Sequence, residues 1–152
     1  MTIQATIATA PLSANSVVSR YLPVIARTAM GLVFFGAGLS GLLNLVPPPE
    51  TPMPENAMAF ATGMMKAGYF FPLLKGTETV VGALLLSGRF VPLALVIIAP
   101  IVINIFAFHA FLTPEQSLVI PALLVIIEVY LAYVYRAAYR PLLVARAGAG
   151  AR

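Results

Sequence analysis

Four runs of almost unbroken apolar residues, at about 21–46, 69–87, 90–112 and 117–135, leave little of this 152-residue chain outside them. A helix that crosses the hydrocarbon core of a bilayer needs roughly 20 mostly apolar residues, and each run is about that long. Hydrophobic residues make up 61% of the chain and charged residues only 9%, with a mean hydropathy of +0.97. A soluble domain carries roughly 25% charged residues, so water cannot solvate this surface. That excludes a soluble enzyme and a disordered chain. The absence of cysteine excludes a disulfide scaffold, thiol exchange and thiolate-bound metal. The net charge of +4 does not point to nucleic acid, because most of the cations flank the apolar runs. The expected fold is all-α: a polytopic membrane protein, a four-transmembrane-helix bundle with the lipid bilayer as its first partner.

Local punctuation divides the chain into an N-terminal tail (1–20), a membrane domain (21–141) and a basic tail (142–152). The N-terminal tail lacks the basic start and apolar core of a cleaved signal, so the first span is expected to be a retained anchor. Pro47, Pro48 and Pro49 are expected to close that span. Ser87 and Gly88 mark a turn so tight that the second and third spans form an antiparallel hairpin. Thr113, Pro114 and Gln116 read as N-cap, first helical residue and reciprocal capping partner of the fourth span. Pro100 lies mid-way along the third span and frees the carbonyl of Val96, and Pro121 is expected to do the same for Ser117.

Arginine and lysine between the spans set the orientation. Arg20, Arg89, Arg136, Arg140, Arg146 and Arg152 fall on one side, whereas the other holds Glu50, Glu55, Glu115 and the single cation Lys66. Both termini are therefore expected in the cytoplasm. Aromatic residues agree: Tyr69, Phe70, Phe71, Phe106, Phe108 and Phe111 gather at the outer end, and Tyr130, Tyr133, Tyr135 and Tyr139 at the inner end.

The first loop, 47–68, carries its own apolar stripe of Ala57, Met58, Phe60, Ala61, Met64 and Met65 at helical spacing. It reads as a short interfacial helix on the outer surface, or as a lid over a site in the outer half. In the first span the pairs Gly36/Ser40 and Ala37/Gly41 allow close helix approach, expected within the chain rather than between copies, although a homo-oligomer stays open.

Charge at depth is expensive, at least about 2.5–3.5 kcal/mol per group on insertion scales, so each such residue is paired, neutralised or turned to a polar interior. At about 1.5 Å of rise per residue, Glu78 lies roughly 13 Å and Lys75 roughly 9 Å below the outer end of their span, with Asn104 at roughly 12 Å and His109 at roughly 5 Å. These four residues are a candidate polar pocket. Lys75 and Glu78, three apart, either neutralise each other or hold a polar headgroup, with Glu78 the acceptor and Asn104 and His109 the opposite wall. In the inner half, Arg27 and Glu128 come to depths at which an interhelical ion pair is reasonable. His109 is the single histidine, which excludes bis-histidine haem and multi-histidine metal sites within one chain. Aspartate is absent, and neither a phosphate loop nor a nucleophile elbow occurs. Autonomous catalysis is not expected.

Taken in order, Arg27-Thr-Ala-Met-Gly31 with Phe34, Phe35 and Gly38, then Glu78 with Gly82 and Ser87-Gly88-Arg89, then Asn104 and His109, then Glu128 and Tyr135-Arg136 resemble the DoxX-like family of small four-span bacterial membrane proteins. The resemblance covers about 20–141. It implies a bacterial cytoplasmic (inner) membrane protein, with some relatives linked to respiratory sulfur oxidation as small quinone-reducing oxidoreductase subunits and others to oxidative-stress complexes. Together with the outer polar cluster it gives the first functional expectation: a redox-associated subunit or assembly partner that docks another membrane or redox protein and binds a quinone-like headgroup. The alternatives are a small proton-coupled transporter or permease, and a purely structural assembly factor.

Overall fold

The computed structural model describes residues 14–45 and 52–143. Within them lie five α-helices, α1 Ala14–Leu42, α2 Glu55–Lys66, α3 Phe70–Ser87, α4 Val91–Phe111 and α5 Val119–Val134, followed by a 3-10 helix, Arg136–Leu143. Three of them are long and apolar enough to cross a membrane: Arg20–Leu42 of α1, α3 and α4. The fourth, α5, is apolar but only 16 residues long. The expectations placed on Pro47, Pro48, Pro49, Glu50, Arg146 and Arg152 lie outside the described residues.

The helix ends differ from expectation in two places. α1 starts within the segment read as a tail and ends at Leu42, where Asn44 turns left-handed with φ 53°. Asn44 N–H donates to the Gly41 carbonyl at 3.3 Å and Leu45 N–H to the Ser40 carbonyl at 2.9 Å. This paired closure, which asparagine tolerates next best to glycine, stops the helix before the prolines are reached. At the other site, Thr113 does not cap α5. Residues 113–118 form a turn, with Gln116 N–H on the Thr113 carbonyl at 2.9 Å, and the helix begins at Val119 after Leu118. Pro121 therefore sits in the first turn, where an amide has no intrahelical acceptor to lose, so it does not free the carbonyl of Ser117. The α3–α4 hairpin forms as expected, with Gly88 left-handed at φ 71°.

α1 and α3 make the most intimate pair. Glycines account for it: Gly38 faces Thr79 and the Lys75 carbonyl, Gly41 faces the Lys75 stem, Gly31 faces Leu86, and Gly82 faces the backbone of Phe35. The small-residue contact is within the chain, but Gly36 looks into open space, and the Ser40 hydroxyl bonds back to the Gly36 carbonyl at 2.7 Å. Met30, Phe34, Leu85, Leu95, Ile98 and Leu131 form the centre of the core. The outward faces stay apolar: Ile25, Leu32, Ile103, Ile126 and Val129 are each about two-thirds exposed, a surface suited to lipid.

Candidate functional site

Glu78 points inward from the middle of α3 and is 3% exposed. One helical turn away, Lys75 donates from Nζ to Glu78 Oε2 at 2.8 Å, and the lysine stem lies along Gly41 of α1. The ammonium also stands 5.8 Å from the centre of the Phe71 ring, a favourable position for a cation. On the flanking positions the hydroxyls of Thr77 and Thr79 donate to the Leu73 and Lys75 carbonyls, each at 2.8 Å. These polar side chains satisfy themselves on their own helix and leave the ion pair as the polar feature turned to the interior.

A cavity of about 260 Å³ opens beside the pair, and all four residues expected in the outer cluster line it: Lys75, Glu78, Asn104 and His109. The distribution is uneven. Asn104 is exposed, while His109 is half-buried and donates from Nδ1 to the Ile105 carbonyl at 2.8 Å. A carbonyl only accepts, so in the neutral ring Nε2 keeps the free lone pair. The site thus offers an ammonium and an amide as donors, and a carboxylate and an imidazole nitrogen as acceptors. Phe34, Ala37, Ile101 and Leu124 supply the apolar wall.

The loop helix contributes directly. Phe60, Ala61 and Met64 of α2 line the same cavity, and the Phe60 ring lies 5.7 Å from that of Phe108 at 50°. Met58 and Met65, from the same apolar stripe, remain exposed. Spacing along the loop identified the stripe but not which of its members turn inward. Among the described residues, a larger depression of about 630 Å³ is lined by Met53 and α2 alone.

The inner ion pair does not form. Arg27 brings its guanidinium to the end of α3, where a Cβ on Gly88 would strike it. Glu128, 8% exposed on α5, has its Oε2 buried with no hydrogen-bond partner. Rise per residue fixes depth but not the direction around each helix. Arg27 is turned to α3, whose closing carbonyls carry partial negative charge, and Glu128 is turned to α4.

Glu128 instead lines a second cavity of about 430 Å³ with Leu95, Val96, Ala99, Ala132, Tyr139 and Leu143. It shares no residue with the outer one. Tyr139 donates to the Pro92 carbonyl at 3.3 Å, and burial, then the nearby Glu128 charge, push its phenol above the ordinary value. Among the described residues, no three histidine, glutamate, aspartate or cysteine side chains come together as a metal site. Compared with protein-family models, with curated proteins and with solved structures, the chain matches none.

Proposed function

We propose that the chain is a four-span, DoxX-like protein of a bacterial cytoplasmic membrane, with both termini inside, α5 as the fourth crossing and α2 on the outer surface. Its outer cavity holds a quinone-like headgroup, and the protein serves a redox assembly as a subunit rather than as an autonomous catalyst. The observation that carries this reading is the meeting of Lys75, Glu78, Asn104 and His109 around one otherwise apolar cavity.

A quinone ring carries two carbonyl acceptors on a flat apolar body. Lys75 and Asn104 supply donors, and His109 Nε2 or Glu78 receives the hydroxyl proton of the reduced form. Ligand pockets run to roughly 300–1,000 Å³, so about 260 Å³ suits a single ring rather than a larger molecule. The isoprenoid tail belongs between the exposed apolar helix faces. Against a transporter, the outer and inner cavities share no lining residue.

The test is to purify the full chain in mild detergent, extract bound lipid and titrate a short-chain benzoquinone against thermal stability. Co-extracted quinone and a saturable rise in Tm are expected. Because a hydrogen bond to a charged group contributes about 1.5–3 kcal/mol, Glu78→Gln is expected to weaken binding about tenfold or more. Repeated preparations without quinone, together with a Tm that added quinone does not move, overturn the reading.

A further inference from the structure

We infer that the inner end of the bundle, which faces the cytoplasm on the topology proposed above, carries a site for the headgroup of an anionic phospholipid, held by arginines from three separate parts of the chain. The fold brings them together. Arg27 comes from α1, and its guanidinium lies so close over the α3–α4 turn that a Cβ on Gly88 would strike it. Arg89 is the next residue of that turn and is exposed. Arg136 and Arg140 belong to the 3-10 segment after α5, and both are exposed. Tyr139 ties that segment to the start of α4, donating to the Pro92 carbonyl at 3.3 Å across 47 positions of sequence. Pro92 follows Arg89 by three residues, so the tie draws the segment's arginines to the turn.

The charge at this end has one sign. Of the four glutamates among the described residues, Glu55, Glu78 and Glu115 lie toward the opposite end, and Glu128 is only 8% exposed. Lys75–Glu78 is the one ion pair among those residues, so no carboxylate neutralises these arginines there. Arg136 donates to the Tyr133 carbonyl at 3.0 Å and stands 4.2 Å from the centre of its ring. Those contacts fix the guanidinium and leave its charge in place. Gathered like charges attract an anion, and the planar donor fork of arginine matches two oxygens of a phosphate. Two apolar side chains select a lipid over a free anion. Phe90, in the turn, is 69% exposed, and Leu143, at the end of the 3-10 segment, is 81% exposed. Beside a bound phosphodiester they meet the acyl chains of the same molecule, as the apolar face of an interfacial segment does, while the arginines hold its headgroup.

The experiment titrates dihexanoyl phosphatidylglycerol into the purified full chain in non-ionic detergent and follows Tm. The comparisons, at matched concentration and ionic strength, are inorganic phosphate and the phosphatidylcholine of the same chains, which has the phosphodiester but no net charge. A saturable rise with phosphatidylglycerol that neither comparison matches is expected, shrinking as salt is raised. Arg89→Gln combined with Arg140→Gln is expected to weaken binding about thirtyfold, since one cation at a membrane surface is worth about fivefold. Lys66→Gln, at the opposite end, is expected to leave it unchanged. Tyr139→Phe keeps every arginine, removes only the tie to Pro92, and is expected to weaken binding about two- to tenfold. Should the double variant not fold, the two substitutions are measured singly, each with a loss of about fivefold expected. Equal shifts with both lipids, an equal shift with inorganic phosphate, or affinity unchanged in the arginine variants overturns the inference. A micelle has no sides, so the site stands or falls separately from the proposed insertion, which thiol labelling of the two ends tests.

Discussion

A Cβ on Gly82 would run into the backbone of Phe35, so α1 and α3 meet main chain to main chain at that level. Gly82→Ala is expected to destabilise the fold by about 1–3 kcal/mol, the usual cost of overpacking. Gly36 has open space around it, and Gly36→Ala is expected to be neutral or to stabilise by up to about 1 kcal/mol through helix propensity. Thermal unfolding of the two variants in detergent checks the contrast.

The Lys75–Glu78 pair yields a double-mutant cycle. Lys75→Met leaves a carboxylate that is 4% exposed without its partner, and breaking a buried pair costs about 3–5 kcal/mol. Because Lys75 keeps 20% of its side chain exposed, the lower end of that range is expected. Lys75→Met with Glu78→Gln is expected to recover at least about 1 kcal/mol of it, since no lone charge remains. A loss in the double variant equal to the sum of the two single losses would show that the pair carries no coupling.

Thr113 makes an opposite prediction. Its side chain is fully buried between α4 and α5, and its hydroxyl has no partner. An unsatisfied buried polar group costs about 1–3 kcal/mol, so Thr113→Val, which keeps the shape, is expected to raise Tm. A fall in Tm would mean that the hydroxyl is bonded in the membrane.

The chain has no cysteine, so a single introduced thiol reports topology without background. On right-side-out vesicles, a membrane-impermeant maleimide is expected to label Glu55→Cys and to leave Arg140→Cys unlabelled until the vesicles are permeabilised. Labelling of both before permeabilisation would mean that α5 does not cross.

The Phe60–Phe108 contact predicts a role for α2 as the cover of the outer cavity. Aromatic pairs contribute about 0.5–1.5 kcal/mol, so Phe60→Ala is expected to weaken quinone binding about two- to tenfold and to speed dissociation. Unchanged affinity and dissociation rate would separate α2 from the site.

Along the chain, composition and apolar run length settled the helical class and the apolar segments, because hydrocarbon requires backbone groups to be paired within a segment. The Ser87-Gly88 turn, the Lys75–Glu78 pair and the helix at Glu55–Lys66 were legible for the same reason: each depends on residues a few positions apart. Helix ends were less legible. A left-handed Asn44 overrode three prolines, and a buried Thr113 did not cap, because a terminus is chosen by which backbone groups find partners in space.

The rest was decided by rotation of one helix against another. Rise per residue placed Arg27 and Glu128 at depths where they could pair, yet packing turned one toward Gly88 and the other into a cavity with Tyr139. It likewise chose Gly82 and Gly38 over Gly36 as the close contacts, and gathered Phe60, Phe108 and His109 beside Glu78. A single sequence records local periodicity and burial preference; the angle at which each face meets its neighbour emerges only when all the side chains compete for the same volume.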